Sequence, residues 1–343
     1  MIEAWVELSR ENLPLAHLEL AAILETLGGE LRGTRLDVAT PLVAVPTPSE
    51  ARLLAGRIAL GRRVTVRWPE ESSEEIGARL RREIRPGESV AFRPTTRPTG
   101  RATVAVVDPW AAAVRAAGGR IELEHPDRKF LFHVGLADSV SFGEELAVVD
   151  RTTTDSRRMP KLPFRRPVSL PPKLGRVAAN LARLRPGDRV VDPFVGTGAL
   201  AIEVALLGGR LTGIDADATM IQGALANFAH VGIEPERLLV GDARVVTAPG
   251  PFAALVTDPP YGRASTTGGE DARSLTRTVV QRWAEFVQPG GRLVVISPGG
   301  PDPVDAPWRR IASVPDRVHR SLTREFRVYE RSRTGTAGTA EGP

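Results

Sequence analysis

The sequence predicts an α/β protein whose C-terminal half folds as a mainly parallel, doubly wound sheet, preceded by an α+β region. From residue 189 onward, apolar strand-like runs alternate with helical ones: RVVDPF, TGALAIEVALLG, RLTGID, ATMIQGALANFAHVG, RLLVGD and AALVTD. Continuous apolar strands separated by helices are buried on both faces, as in parallel sheets. Before residue 150, short alternating strands mix irregularly with helices, which is the pattern of small α+β modules. A stretch rich in proline, threonine and arginine over 151–175 divides the two.

At 343 residues the chain is long enough for two cores, because a single core seldom grows past about 250 to 300 residues. IEAWVEL alternates as a half-buried strand, and LPLAHLELAAILETLG has helical spacing up to the Gly28-Gly29 stop. Strands are expected at LVAVP, RVTVRW, ESVAFRP, TVAVVD, RIELEH and KFLFHVG, with a helix at SEEIGARLRREI behind a serine cap at Ser72-Ser73. In the second half, a helix over RSLTRTVVQRWAEFV leads to a strand at GRLVVIS, and REFRVYER reads as a late strand. The terminal RSRTGTAGTAEGP is polar and glycine-rich, expected as a disordered tail over 331–343.

Composition excludes several chemistries. There is no cysteine, so thiolate metal sites, disulfides and cysteine nucleophiles are out. The five histidines, His17, His125, His133, His230 and His319, are scattered without metal-ligand spacing, and no metal is expected. No run approaches the roughly 18 apolar residues of a membrane helix, and the N-terminus lacks a signal-peptide pattern, so a cytoplasmic protein is expected. That leaves carboxylates, backbone groups and a bound cofactor.

The net charge of +5 is unevenly placed. Residues 1–150 carry 19 Lys+Arg against 22 Asp+Glu, and 191–343 carry 16 against 17. Residues 151–190 carry 11 against 2, and most of the eleven are arginine. Arginine binds phosphate oxygens in pairs, so the segment reads as a footprint for a polyanion; a solvated basic face is the plainer reading.

Four strand ends carry the chemistry. Asp192-Pro193-Phe194-Val195-Gly196-Thr197-Gly198 closes the first strand and opens a helix, where glycines permit a tight turn and bring backbone N–H groups toward a ligand. Alone, this loop could hold a dinucleotide. Asp215 ends the second strand, where a carboxylate accepts ribose hydroxyls, and Asp242 ends the third, within reach of an adenine amino group. Strand ends of an open sheet converge on one crevice, so the three carboxylates surround a nucleoside-sized site. Asp258-Pro259-Pro260-Tyr261 ends the fourth strand. Asp258 and the Pro259 carbonyl are placed to accept the two N–H groups of an exocyclic amine and aim its lone pair, while Tyr261 offers a ring for an extruded base.

These motifs resemble the class I (Rossmann-like) S-adenosylmethionine methyltransferases, with DPFVGTG similar to their cofactor loop and DPPYGR to their amino-methyltransferase motif. RPVSLPPKLGR at 166–176, followed by Ala179-Asn180-Leu181-Ala182, is similar to the segment before that loop in archaeal tRNA guanosine-10 N2-methyltransferases. Residues 1–65 resemble the ferredoxin-like N-terminus of that family, and 66–150 a THUMP RNA-binding domain, with a basic linker at 151–175 and a catalytic domain at 176–330. The resemblance implies S-adenosylmethionine as cofactor, tRNA as partner, and N2-methylguanosine or N2,N2-dimethylguanosine at position 10 as product. The candidate cofactor set is Asp192, Phe194, Gly196, Thr197, Gly198, Asp215, Ala216, Asp242, Ala243 and Asp258. The catalytic set is Asp258, Pro259, Pro260 and Tyr261; the substrate set is Arg157, Arg158, Arg165, Arg166, Ser169, Lys173, Tyr261 and Arg263. Alternatives are a ribosomal RNA guanine-N2 methyltransferase, an N6-adenine nucleic-acid methyltransferase and a catalytically silent RNA-binding protein.

Overall fold

The computed structural model describes residues 1–32, 38–95, 101–134, 140–150, 155–157, 161–166, 169–260, 271–300, 304–320 and 322–333. The chain forms two compact units. One comprises Met1–Arg10, Leu27–Gly56 and Gly61–Val149; the other comprises Glu11–Thr26, Arg57–Leu60 and Asp150–Pro343.

The first stretch of chain runs β1 (Ile2–Leu8), α1 (Leu13–Leu27), β2 (Glu30–Arg32), β3 (Leu42–Val45), α2 (Pro48–Arg57), β4 (Gly61–Arg67) and α3 (Ser73–Glu83). It continues through β5 (Ser89–Pro94), α4 (Arg101–Ala116), β6 (Arg120–Ile121), β7 (Arg128–Val134) and β8 (Val140–Val148). All eight strands join one sheet in the order β2-β3-β1-β4-β8-β7-β5-β6. The expected boundary at 65/66 therefore falls inside β4, and the sheet runs straight across it. The core of this part is aromatic, with Trp68, Phe92, Trp110, Phe130, Phe132 and Phe142 packed together.

Helix α3 begins as expected. The Ser72 hydroxyl accepts from the Glu75 N–H and the Glu75 carboxylate accepts from the Ser72 N–H, a reciprocal capping box. The strand expected at TVAVVD is instead part of α4. Its valines suit a strand locally, but burial at Trp110, Ala113 and Val114, with Val106 and Val107 packed against the same core, follows helical spacing. RIELEH pairs only over Arg120–Ile121.

Helix α1 belongs to the second unit, and a buried carboxylate explains why. Glu19, fully buried, accepts from the backbone N–H groups of Ala59 at 2.9 Å and Leu60 at 2.8 Å, and from Asn180 Nδ2 at 2.8 Å. Burial pushes its pKa up, against the pull of those bonds. A buried acid with three donors ties α1 and residues 57–60 to the helix bearing Asn180.

That helix, α5 (Pro172–Leu181), starts inside the expected linker, with Pro172 at its first turn, where a missing N–H costs nothing. The unit continues through β9 (Arg189–Asp192), α6 (Ala199–Leu206), β10 (Arg210–Asp215), α7 (Ala218–Val231), β11 (Arg237–Val240) and β12 (Phe252–Thr257). It ends with α8 (Ala272–Trp283), β13 (Val287–Pro298), β14 (Trp308–His319) and β15 (Leu322–Arg331). The sheet order is β11-β10-β9-β12-β13-β15-β14, parallel except at β15, which is antiparallel to both its neighbours. The chain order reverses between β9 and β12, and ligands bind beyond the carboxyl ends of strands at such a switch point. Among the described residues no helix is long and apolar enough to cross a membrane.

Candidate active site

A cleft of about 580 Å³ opens at that switch point. Its lining includes Asp192, Asp215, Asp242 and Asp258, the four carboxylates at the ends of β9, β10, β11 and β12. Phe194, Gly196, Thr197, Ala216, Ala243, Pro260, Arg166 and Ser169 line it as well. Pro259 is buried beside it in the turn. The volume falls in the range of pockets that enclose a drug-sized ligand. Tyr261, Arg263 and Arg158 lie outside the described residues.

The glycine loop is built on two residues in left-handed backbone, Gly196 (φ 51°) and Gly198 (φ 79°). A side chain at Gly198 would also press to 3.2 Å on the Phe228 ring. Gly198 is the N-cap of α6 and provides no side-chain cap, which leaves N–H groups of the first turn for a ligand. The Gly196 N–H donates to Asp215 Oδ2 at 3.0 Å, so the second strand end holds the loop of the first.

Asp192 is 1% exposed and accepts from the Thr257 hydroxyl at 2.8 Å and the Phe194 N–H at 3.0 Å. Burial pushes its pKa up to about 7, despite both bonds. Asp215 is also raised, first by burial. Asp242 is different. The Arg244 guanidinium grips it through Nε and Nη2, at 3.0 and 2.7 Å, and holds its pKa down. An adenine amino group reaching Asp242 would share that carboxylate with Arg244.

The basic segment divides into two kinds of arginine. Arg157 was expected on phosphate, but it turns inward: its Nε lies 2.7 Å from Oε1 of Glu203, whose side chain is fully buried, and Arg176 completes the triad at 2.8 Å. A buried carboxylate needs such partners, and Arg157 supplies one of them. Lys173, also expected on the substrate, pairs with Glu11. Arg165 and Arg166 are exposed, and Arg166 sits 5.3 Å above the Phe164 ring at the cleft wall. The Ser169 hydroxyl lies 3.0 Å from that of Thr197.

Sequence reasoning missed Asn227. Fully buried on α7, its Oδ1 accepts from the Phe164 N–H at 3.0 Å, while Nδ2 donates to the Phe164 carbonyl at 3.0 Å and to the Thr197 carbonyl at 2.9 Å. One helical turn before it, Gly223 leaves room for the Phe164 ring. A glycine and an asparagine four residues apart on the apolar face of a predicted helix were the available signal.

The strand order, the glycine loop and the strand-end carboxylates define a class I methyltransferase fold. Residues 161–312 match the family described as UPF0020, RMKL-like, methyltransferase domain. Over part of its length the chain is similar to archaeal tRNA (guanine(10)-N2)-dimethyltransferases. It is 35% identical to the protein of that name from Methanothermobacter thermautotrophicus, over 62% of this chain and 64% of that one. To its Pyrococcus abyssi counterpart it is 32% identical, over 63% of this chain and 66% of the other. The match thus spans somewhat under two thirds of the length of these relatives. Among solved structures, TrmN from Thermus thermophilus is 22% identical, with a TM-score of 0.49, covering 96% of this chain and 99% of that one.

Proposed function

We propose that the protein is an S-adenosylmethionine-dependent methyltransferase that modifies the exocyclic amine of a guanosine in tRNA, at the position its archaeal relatives are named for. The observation that carries this reading is the placement of Asp258 and Pro260 on the same cleft as Asp192 and Asp215, at the ends of adjacent strands. The cleft fits the cofactor chemically: an uncrowded backbone at Gly196, where an added Cβ would meet the Phe194 carbonyl oxygen no nearer than 4.0 Å, the N-terminus of α6 for its carboxylate, and Asp215 for its ribose hydroxyls. When bound, S-adenosylmethionine supplies an electrophilic methyl group.

The remaining work falls to residues of this chain. Asp258 and the Pro259 carbonyl accept the two hydrogens of the guanine amine and turn its lone pair toward the cofactor side of the cleft. The bond to Asp258 strengthens as positive charge develops on nitrogen, so it acts mainly on the rate. Tyr261 stacks on the extruded base. Arg165 and Arg166 hold phosphate beside the cleft mouth, and the first unit supplies a THUMP-type RNA contact. Incubation with isotopically labelled cofactor and unmodified tRNA transcript, ribosomal RNA or duplex DNA tests the substrate class: label in tRNA supports the reading, and label only in DNA or ribosomal RNA refutes it.

A further inference from the structure

We infer that Asn227 is a positioning residue that couples RNA binding to cofactor binding. The inference rests on the tRNA reading above. The basic segment and the glycine loop are far apart in sequence, yet one buried amide holds both. Asn227 uses its oxygen and one hydrogen on the two backbone groups of Phe164, and its other hydrogen on the carbonyl of Thr197 in the loop. The second tie between the same two segments is the 3.0 Å contact of the Ser169 and Thr197 hydroxyls.

The anchor is shaped as well as bonded. A methyl group at Gly223 would sit 2.1 Å from Phe164 Cδ1, so the ring lies directly against the helix backbone. Arg165 and Arg166 follow the anchored residue immediately, and Arg166 lines the cleft. Phosphate held by these arginines pulls on Phe164; a cofactor settling on the loop fixes Thr197. Because both contacts meet at Asn227, ordering either segment orders the other, and each ligand raises affinity for the other by the same factor.

Gly223→Ala is the sharpest probe. Alanine is favourable within a helix, Asn227 and the loop are untouched, and only the seat of the Phe164 ring is filled. Asn227→Ala, which removes the bonds themselves, is the second variant. Two quantities are read on the full chain: amide hydrogen exchange over 161–166, and dissociation constants for unmodified tRNA transcript and S-adenosylhomocysteine, each alone and with the other saturating. In the wild type each ligand should tighten the other several-fold. In Gly223→Ala, exchange over 161–166 should rise at least about tenfold and the coupling factor should fall to near one. S-adenosylhomocysteine binding alone should change by less than about twofold. A wild type that binds both ligands with no mutual effect, or a Gly223→Ala protein with undiminished coupling, overturns the inference while leaving the tRNA reading intact. A wild type that binds S-adenosylhomocysteine but not tRNA overturns both.

Discussion

The Thr257 hydroxyl donates to Asp192 Oδ1 at 2.8 Å, joining the two strands between which the chain order reverses. The bond lowers the pKa of a carboxylate that burial has raised from 3.8 to about 7. Because the folded value lies above the unfolded one, the free protein retains a proton that the unfolded chain has lost between those limits. Stability should therefore fall as pH rises from about 4 to about 7 and level off above it. A cofactor carrying positive charge favours the ionised form, so its affinity should climb toward pH 7 and flatten beyond, with proton release on binding below pH 7 visible in buffer-dependent calorimetry. Thr257→Val should move that midpoint upward and Asp192→Asn should abolish it. An Asp192→Asn protein with the wild-type profile would show that another group titrates.

Asp215 holds the glycine loop through the Gly196 N–H and also faces the cleft. Asp215→Asn keeps the shape and loses the charge. Cofactor affinity should fall by about 1.5 to 3 kcal/mol, the range for hydrogen bonds to charged groups. Unchanged affinity by titration calorimetry, in a variant with wild-type melting, would remove Asp215 from the site.

The arginines of the basic segment should separate cleanly. Arg157→Ala breaks a contact to the buried Glu203 and should cost about 1 to 3 kcal/mol in denaturant unfolding, leaving the salt dependence of tRNA binding as it was. Arg165→Ala with Arg166→Ala should do the reverse, lowering the slope of log affinity against log salt by about 1 to 2 with little loss of stability. Equal slopes in the two variants would contradict the division.

Which parts of this were legible in the sequence follows from where the information sits. The strand-end aspartates were readable because motif order along a doubly wound sheet fixes which strand ends meet, and Asp192, Asp215, Asp242 and Asp258 do line one cleft. Charge count could not tell Arg157 from Arg165, because burial beside Glu203 depends on packing some 46 residues away in sequence. Likewise β14 and its pairing with β15 went unread, since WRRIASVPDRVH contains charge and proline that weaken the strand signal until a partner is present. The placement of α1 depended on Glu19, an ordinary acid in sequence whose three donors come from distant segments.

The proposed mechanism has Asp258 act on the amine and contribute little to cofactor binding. Asp258→Ala should bind S-adenosylhomocysteine within about twofold of wild type, while the single-turnover rate at saturating cofactor falls at least about 100-fold. A wild-type rate would reduce the Asp-Pro-Pro turn to a structural element.

The central claim is the identity of the methylated atom, and nucleoside mass spectrometry reads it directly. Unmodified tRNA transcript is incubated with the protein and methyl-labelled S-adenosylmethionine, then digested to nucleosides. The account predicts label in N2-methylguanosine or N2,N2-dimethylguanosine, lost when guanosine 10 is replaced. Label in N6-methyladenosine, or no labelled nucleoside from a protein that binds cofactor and tRNA, would contradict it.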